Sequence, residues 1–342
     1  MVGFGPRRQI LVTGGAGYIG SHLVDQLILS GNRVTVIDDL STGSHDNINH
    51  LTGNSQFEFI HGTILDEPLM DTLVARSESI FHLAAVVGVK HVVQNPLQCV
   101  EVNVHGTEIV LRKAHQYKKR VLLASSSEIY GKSAAYSFQE EGERVLGPTW
   151  VHRWSYATAK ALDEHLAFAY FDKGLPVSIV RYFNSYGPHS SETGYGSVIA
   201  QFIRQALLGE PITVHGDGSQ KRCFTFVADT VRGTILAGEK PEALGQAFNI
   251  GNRNEEISIL RLAQMVKELA HSTSPIVHIP HSEYYGNGYE DAPRRMPSIE
   301  KSEKILGFHA STNLNEGLAI TLDWWKNKTF GKTNILTMEN RI

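Results

Sequence analysis

A glycine-rich turn near the start of the chain limits the possible fold more than any other feature. Residues 9–13 form an apolar, β-branched run, and Gly14-Gly-Ala-Gly-Tyr-Ile-Gly20 leads from it into residues 19–30, whose apolar side chains have helical spacing. The glycines at positions 14, 17 and 20 respectively permit a tight turn, let the backbone approach a pyrophosphate, and allow close helix–strand packing. The start of the helix offers N–H groups and a positive dipole end to phosphates. The turn is therefore predicted to bind a dinucleotide.

An acidic pair follows the second predicted strand, residues 33–37. Asp38, with Asp39 after it, stands where a carboxylate can accept hydrogen bonds from both hydroxyls of an adenosine ribose. The same carboxylate would repel a 2′-phosphate. The sequence therefore predicts NAD, rather than NADP, as the cofactor.

Short β-branched runs alternate with amphipathic segments through the first half of the chain. This alternation predicts a parallel sheet covered by helices on both faces. The fold class is accordingly α/β, a Rossmann-type doubly wound parallel sheet with a smaller C-terminal α/β domain that binds the substrate. The predicted strands are 9–13, 33–37, 57–61, 79–83, 120–124 and 176–182, and the main predicted helices between them are 19–30, 96–116 and 156–171.

The regular alternation of predicted strands and helices weakens after residue 183, where glycine and proline become frequent. We expect an NAD-binding domain over residues 1–183, a substrate-binding domain over 184–330, and a loose tail over 331–342. Part of the segment 224–252 is expected to return to the first sheet through strands at 224–227 and 247–250. Shorter helices are predicted at 198–208, 257–270 and 315–326.

Composition and charge exclude several classes of protein. Lys and Arg total 32 against 35 Asp and Glu, a formal net charge of −3, so we expect no nucleic-acid partner. No run reaches the roughly 18 apolar residues of a membrane span, and no signal-peptide region follows Met1. The two cysteines, Cys99 and Cys223, are too few for a disulfide framework, and the 16 histidines lack metal-ligand spacing. We therefore expect a cytoplasmic protein without a metal ion.

A tyrosine and a lysine in Ser155-Tyr-Ala-Thr-Ala-Lys160 lie on one face of a predicted helix. A phenol is a poor base at neutral pH, because its pKa is about 10. A neighbouring ammonium and a positive nicotinamide ring would stabilise the phenolate and bring the phenol into working range. Ser126 lies in the serine-rich segment at the carboxyl end of the preceding predicted strand, at the edge of the sheet where ligands bind. Tyr156, Lys160 and Ser126 are the candidate catalytic residues.

Together these features resemble the extended short-chain dehydrogenase/reductase family of nucleotide-sugar epimerases, dehydratases and decarboxylases. The matching segments are Thr13-Gly-Gly-Ala-Gly-Tyr-Ile-Gly20, Asp38, Phe81-His-Leu-Ala-Ala85, Asn103-Val-His-Gly-Thr107, Ser126, Tyr156, Lys160 and Arg181-Tyr-Phe-Asn184. One departure is Gly62-Thr63-Ile64, where the family usually carries Asp before an apolar residue to hold the adenine. The resemblance implies NAD contacts from Gly14, Gly17, Tyr18, Ile19, Gly20, Asp38, Asp39, Thr63, Ile64, Leu83, Ala84, Ala85, Asn103, Tyr156 and Lys160.

The resemblance also implies that a sugar 4-hydroxyl is transiently oxidised. Tyr156, as phenolate, removes the hydroxyl proton while hydride passes to NAD; Ser126 steadies that oxygen, and Lys160 holds the cofactor ribose. A 4-epimerase then needs only ring rotation and hydride return, whereas a 4,6-dehydratase needs an acid and a base for the loss of water. A uronate decarboxylase uses a 4-keto uronate, which is a β-keto acid and loses carbon dioxide with little further help.

Several segments favour the decarboxylase. Ser126-Ser127-Glu128 resembles the Thr-Ser-Glu of UDP-glucuronate decarboxylases, and the dTDP-glucose dehydratases have Asp in place of Ser127. Arg153-Trp-Ser-Tyr156 resembles the Arg-Trp-x-Tyr of enzymes that process UDP-glucuronate, where the arginine lies near the sugar carboxylate. The segments 220–225 and 295–299 resemble parts of the bacterial decarboxylase for aminoarabinose synthesis. Ser127 and Glu128 are therefore added to the catalytic residues.

A UDP-uronate carries a pyrophosphate and a carboxylate, and arginine binds both groups bidentately. Arg222 and Arg295 are expected on the diphosphate side, and Arg153 at the sugar end. Glu128, or a water molecule on it, is expected to protonate the enolate that decarboxylation leaves. The remaining predicted substrate contacts are Asn184, Gln201 and Lys221.

The leading hypothesis is a UDP-glucuronate decarboxylase that oxidises, decarboxylates and re-reduces its substrate to UDP-xylose. The alternatives are a 4-epimerase acting on UDP-glucuronate or a UDP-hexose, a 4,6-dehydratase, and a non-catalytic NAD-sensing protein on the same fold. The last alternative predicts a missing Tyr or Lys, whereas both are present. The resemblance further implies a homodimer with a four-helix interface, formed by residues 96–116 and 156–171 of each subunit.

Overall fold

A computed structural model of the chain describes residues 8–191, 198–281, 283 and 294–331. Its strands are β1 Gln9–Thr13, β2 Arg33–Asp38, β3 Phe57–His61, β4 Ser79–His82, β5 Arg120–Ser126, β6 Val177–Tyr182, β7 Ser185–Tyr186, β8 Ile212–His215, β9 Lys221–Cys223, β10 Thr225–Phe226, β11 Ala247–Ile250, β12 Glu256–Ser258, β13 Ile276–Ile279 and β14 Arg294–Arg295. Its helices are α1 Tyr18–Leu29, α2 Glu67–Arg76, α3 Val89–Gln94, α4 Pro96–Val100, α5 Thr107–Gln116, α6 Ser155–Asp172, α7 Val198–Leu208, α8 Val227–Glu239, α9 Ile259–Leu269 and α10 Leu314–Phe330.

Seven strands form one parallel sheet in the order β11-β6-β5-β4-β1-β2-β3. The first strand pairs with β2 on one side and with β4 on the other, so the chain changes direction across the sheet at β1. In a doubly wound sheet, this switch point opens a crevice at the carboxyl ends of the strands, where ligands bind. The predicted fold class is confirmed.

Alternation of side chains along β1 shows why helices cover both faces of the sheet. Ile10 and Val12 point to one face and pack in a core with Leu27 of α1. Leu11 points to the other face, in a second core that contains Met70 of α2. Because both faces are apolar, each must be covered, and α1 and α8 cover one face while α2, α5 and α6 cover the other.

The segment after residue 183 shares the first of these cores. Phe202 of α7 and Trp325 of α10 belong to the same buried cluster as Val12. Only one of the two predicted returning strands joins the large sheet: β11 pairs with β6, whereas β10 pairs with β7 in a separate two-stranded sheet. The prediction for 224–227 was therefore wrong, because α8 begins at Val227 and leaves a two-residue strand there.

Three further predictions of elements need correction. The expected helix at 257–270 begins with a strand, β12, because β12 pairs with β9 and the helix starts only at Ile259. The expected helix at 96–116 contains a π-helical segment, Glu101–Gly106, between α4 and α5. The final helix continues to Phe330, four residues beyond the predicted end, and the predicted tail from 332 onward lies outside the described residues.

Among the helices that the structure describes, none has the length and apolar character needed to span a bilayer.

Candidate active site

The carboxyl ends of the parallel strands surround one cleft, which gathers most of the residues selected from the sequence. Each of β1, β2, β4, β5 and β6 ends at its rim, and Arg153 and Tyr156 enter it from the start of α6. The predicted residues that line the cleft are Gly14, Gly17, Tyr18, Ile19, Gly20, Asp38, Asp39, Thr63, Ile64, Leu83, Ala84, Ala85, Ser126, Ser127, Glu128, Arg153, Tyr156, Lys160, Asn184 and Arg295.

The glycine turn has the shape that a dinucleotide requires. Gly14 has a φ of +72°, which favours glycine, and a Cβ on Gly20 would overlap the Gly14 carbonyl oxygen. Gly17 is the N-cap of α1 and has no side chain to occupy the first N–H groups of the helix. These residues fit a pyrophosphate, because the backbone at this end of the helix is open to the cleft.

Asp38 accepts backbone hydrogen bonds both from this turn and from the loop after β2. Its Oδ2 accepts from Ala16 N at 2.9 Å, and its Oδ1 accepts from Leu40 N at 2.9 Å. Burial raises the pKa of the Asp38 carboxyl, while these hydrogen bonds lower it in part. Each carboxylate oxygen has a second lone pair, so Asp38 can accept from ribose hydroxyls while it holds the turn.

Asn103 does not line the cleft, although the sequence placed it among the cofactor contacts. It lies in the π-helical segment, fully buried, with its Oδ1 accepting from Val86 N at 2.7 Å and its Nδ2 donating to Val86 O at 3.1 Å. Asn103 therefore shapes the wall of the cleft at Val86.

Thr63 stands where the family usually has an aspartate that holds the adenine. Its side chain accepts from Leu65 N at 3.3 Å and lines the cleft, where Thr63 can offer a hydroxyl to adenine.

Tyr156 and Ser126 meet inside the cleft. The Tyr156 hydroxyl is hydrogen-bonded to the Ser126 side chain, which also accepts from Glu128 N at 3.2 Å. Burial raises the pKa of Tyr156 well above its usual value, the Glu128 carboxylate raises it further, and the Ser126 hydrogen bond offsets part of the rise. Lys160, which is expected together with the nicotinamide ring to bring this phenol into working range, also faces a buried carboxylate, Asp163, 3.2 Å away.

Glu128 lies between two arginines that are almost wholly buried. Arg153 reaches one carboxylate oxygen at 2.5 Å, and Arg295 pairs with both oxygens. Burial alone would raise the pKa of Glu128, but the two guanidinium groups outweigh burial and hold the pKa well below its usual range. The carboxylate is therefore ionised, and Arg153 and Arg295 both lie against it.

This cluster bears on two expectations for the substrate residues. Arg295, which was expected on the diphosphate side, lies beside Arg153 on the Glu128 carboxylate. Either Glu128 or a water molecule on it was expected to protonate the enolate, and the ionised state of the carboxylate favours the water molecule.

Three other predicted substrate residues lie away from the cleft lining. Gln201 donates to Thr213 Oγ1 at 2.9 Å, and the exposed Lys221 lies 4.0 Å from Glu256. Arg222 is buried next to Arg295 in the three-stranded sheet, where its Nη1 donates to Lys221 O at 2.8 Å. Asn184 does line the cleft, and its Nδ2 donates to Cys223 O at 2.9 Å.

The cleft also contains residues that were not selected from the sequence. His189 and Ser190 follow the Asn184–Gly187 segment, and Val86, Val87 and Gly88 follow β4. Their positions just after strand ends were the sequence feature that could have identified them as cleft residues. Within the described ranges, no group of three or more His, Cys, Asp and Glu side chains could hold a metal ion.

The fold and the site together define an enzyme that binds a nicotinamide dinucleotide at the switch point of a doubly wound sheet. A sequence model of the NAD dependent epimerase/dehydratase family matches residues 10–251. The chain belongs to this family, and its cofactor is NAD.

Relatives of known activity resemble the chain along nearly its whole length. A UDP-N-acetyl-alpha-D-glucosaminuronate decarboxylase of Bacillus cytotoxicus is 42% identical over 320 residues, which are 94% of this chain and 98% of that protein. UDP-glucuronic acid decarboxylase 1 of Danio rerio is 35% identical, over 96% of this chain and 75% of that protein.

Solved structures share the fold and resemble the chain more distantly in sequence. The UDP-glucose 4-epimerase of Thermotoga maritima superposes with a TM-score of 0.84 at 31% identity, covering 94% of this chain and 99% of that one. The UDP-glucuronic acid 4-epimerase of Bacillus cereus, solved with UDP-glucuronic acid and NAD, has a TM-score of 0.83 at 29% identity, with coverage of 94% and 99%.

Replacing Asp38 tests its double role in the cofactor site. Asp38→Asn removes the charge that accepts from the ribose hydroxyls, and hydrogen bonds to charged groups contribute about 1.5–3 kcal/mol. We therefore expect NAD affinity, measured by titration calorimetry, to fall by about tenfold to 100-fold. Asp46→Asn is the matched control, because Asp46 is exposed, is not among the residues that line the cleft, and its Oδ1 accepts from Asn49 Nδ2 at 3.2 Å. Equal NAD affinity in a folded Asp38→Asn protein would contradict this role.

Proposed function

We propose that the protein is an NAD-dependent decarboxylase that acts on a UDP-uronate. The observation that carries the proposal is the buried cluster of Arg153, Glu128 and Arg295 beside the Tyr156–Ser126 hydrogen bond. A sugar whose 4-hydroxyl lies at Tyr156 would place its carbon 5 substituent near these arginines. A carboxylate is the substituent that such a cluster favours.

The charge of the cluster supports an anionic substituent over a neutral one. Two guanidinium groups, those of Arg153 and Arg295, flank one carboxylate in a site where both arginines are nearly inaccessible to water. Arginine binds a carboxylate through two parallel hydrogen bonds, and such charge-assisted bonds are stronger away from water. A uronate carboxylate can accept these hydrogen bonds as an anion, whereas the hydroxymethyl group of a hexose carries no charge.

Each residue of the cleft has a separate role in the proposed reaction. Bound NAD supplies a hydride acceptor and a positive charge beside the phenol. Tyr156 takes the proton of the 4-hydroxyl, and Ser126 donates to the same oxygen and keeps it in place. Lys160 is directed at the cofactor side of the cleft by its bond to Ala124 O, 3.1 Å away.

Oxidation at carbon 4 makes the uronate a β-keto acid. The bond between carbon 5 and the carboxylate then breaks, its electron pair moves into the carbon 4 carbonyl as an enolate, and carbon dioxide leaves. Arg153 and Arg295 stabilise this negative charge as it moves, since they remain charged throughout. A proton from water on the Glu128 carboxylate adds to carbon 5, and re-reduction at carbon 4 completes a pentose such as UDP-xylose.

The decarboxylase relatives support this assignment, and they differ in their sugar. The Bacillus cytotoxicus relative acts on a 2-acetamido uronate, and the Danio rerio relative acts on UDP-glucuronic acid. UDP-glucuronate is the substrate expected from the sequence, and the acetamido sugar is the second candidate. A 4-epimerase is the alternative reaction, because the Bacillus cereus neighbour binds UDP-glucuronic acid and is named a 4-epimerase.

Product mass distinguishes these reactions. The protein with NAD and either uronate is expected to give a product lighter by one carbon dioxide, with the gas released from the carboxyl carbon. UDP-glucose, whose sugar is uncharged because it lacks the carboxylate, is the control substrate and should not change in mass. A product of unchanged mass but altered sugar configuration would identify a 4-epimerase, and loss of one water would identify a dehydratase; either outcome contradicts the proposal.

We also infer a cytoplasmic homodimer. Cys99 and Cys223 are both buried thiols without a disulfide, which suits a reducing compartment. The two helices expected at the interface carry exposed apolar side chains, with Leu97 of α4 85% exposed and Leu162 of α6 45% exposed. Apolar side chains on two contacting helices favour burial against a second copy.

Charged substitutions on these helices test the dimer. Leu97→Glu together with Leu162→Glu should lower the molar mass in light scattering from that of two chains to that of one, because burying unpaired carboxylates is costly. Leu29→Glu is the matched control, since Leu29 is 77% exposed but lies on α1. A double variant that stays dimeric, or a wild-type protein that is monomeric, would refute this interface.

A further inference from the structure

Asp163 is a buried carboxylate that the proposed chemistry does not use. It lies on α6, almost one turn after Lys160, and its side chain is fully inaccessible to solvent. Its Oδ2 is 3.2 Å from the Lys160 Nζ, and Lys160 itself is almost wholly buried. Burial penalises the charge of an acid, so an acid in such a place lowers stability unless a partner compensates the charge.

The next residue along the helix shows how unusual this environment is. Glu164 accepts two hydrogen bonds from the Arg181 guanidinium, at 2.9 and 2.6 Å, and another from Ser125 Oγ at 2.5 Å. Within the described residues, neither oxygen of Asp163 has a well-aligned hydrogen-bond donor. The Lys160 ammonium and the facing Thr107 hydroxyl compensate part of the cost of burying the Asp163 charge. Burial still raises the pKa of Asp163 to about 6.

Thr107 connects Asp163 to the far side of the cofactor site through a chain of buried side chains. The Thr107 hydroxyl is 3.0 Å from His82 Nε2, and His82 Nδ1 is 2.7 Å from Thr13 Oγ1. Thr13, the residue before the glycine turn, accepts from Ala84 N at 3.2 Å. Thr13, His82 and Thr107 are at most 1% exposed.

The chain has a single consistent direction. Burial lowers the pKa of His82 to about 3, so the imidazole is neutral and has one N–H. Thr13 already accepts from the Ala84 amide, so its own hydroxyl proton is free to donate to His82 Nδ1. His82 Nε2–H then donates to Thr107, and the Thr107 hydroxyl proton is directed to Asp163.

We propose that Asp163 is a positioning residue for the reaction, which anchors the Lys160 ammonium at the end of a buried hydrogen-bond chain running from the glycine turn. The ammonium has three N–H donors. One is held by Ala124 O and one is directed at Asp163, which leaves the third for the cofactor ribose in the cleft. The inference rests on Lys160 holding the cofactor, which is common to every reaction weighed above, and does not depend on decarboxylation.

Several charged or titratable groups surround Asp163. Lys160, Glu164 and Tyr156 lie on its own helix, and Cys99 of α4 and His82 of β4 face the same ion pair. The Asp163 charge also disfavours the Tyr156 phenolate, but this effect is smaller than those of burial, Glu128 and Ser126. Loss of the Lys160 anchor is therefore the dominant consequence of removing or protonating Asp163.

The pH dependence of turnover tests the proposal. Asp163 is ionised above about pH 6 and protonated below it, so wild-type turnover should fall on the acid side with a midpoint near 6. Asp163→Asn should lose this inflection and be slower by about tenfold to 100-fold near neutral pH, because a displacement of about 1 Å costs that much. Asp172→Asn is the matched control, an exposed acid at the end of the same helix. A folded Asp163→Asn protein with wild-type turnover, or with the inflection intact, overturns the proposal.

Thr107 supplies a second test in case Asp163→Asn fails to fold. Thr107→Val removes a hydroxyl that lowers the Asp163 pKa, so the acid midpoint should move to higher pH, whereas Thr107→Ser should leave it in place. An unmoved midpoint in Thr107→Val contradicts the chain. In wild-type protein, ¹⁵N NMR should show His82 protonated at Nε2 alone, and the opposite tautomer would contradict the chain as well.

NADH binding separates this inference from the choice of substrate. Fluorescence titration should show wild-type affinity declining below about pH 6, and Asp163→Asn affinity lower and nearly independent of pH. If this result appears while both uronates remain unchanged, the proposed function fails and the role of Asp163 stands. If both uronates are decarboxylated but Asp163→Asn binds NADH as the wild type does, the role of Asp163 fails instead.

Discussion

Parallel strands end at a common edge, and this geometric constraint brings together residues that are far apart in the chain. The glycine turn after β1, the acid that ends β2 and the serine that ends β5 meet in one cleft only because all three strands run in the same direction. Helix α1 starts at the same edge, so its N-terminal N–H groups face the cleft. The sheet thus brings the glycine turn and the candidate catalytic side chains to one cleft.

Buried charge is the second constraint, and helix α6 and the residues just before it take part in three ion pairs that are largely buried. Glu164 pairs with Arg181, Asp163 pairs with Lys160, and Arg153 pairs with Glu128. A buried ion pair gives little net stability, while loss of one partner is costly. These pairs therefore act chiefly by holding α6 and its side chains in a single arrangement against β5 and β6. Glu128 is held by two arginines, Arg153 and Arg295, whose forked donors suit the anionic sugar that we propose as substrate.

The cofactor-binding residues could be predicted from the sequence because each belongs to a short, local sequence pattern. A strand, a glycine turn, a helix and an acid at the next strand end each leave a pattern within a few residues, and the bounds of β1 and β3 matched the prediction to the residue. Gly14, Gly17 and Asp38 could be placed for the same reason.

The substrate-binding residues were harder to predict from the sequence, because their contacts come from segments far apart in the chain. Arg295 is 167 positions from Glu128, and no local pattern indicates that the two side chains pair. The short strands β7, β9 and β10 have two or three residues each, too few for a periodic pattern to appear. Asp163 was overlooked although it lies three positions after Lys160, since spacing shows that two residues share a helix face but not that the face is buried.

The most direct measurement of the central claim is the turnover of Tyr156→Phe with NAD and a UDP-uronate, with NAD binding measured on the same protein. The substitution removes only the hydroxyl that bonds Ser126 and keeps the ring that fills the cleft wall. The account predicts a variant that still binds NAD but turns over on the order of 10²- to 10⁴-fold more slowly, which is the contribution of a positioned acid–base group. Turnover close to that of the wild-type protein would contradict it.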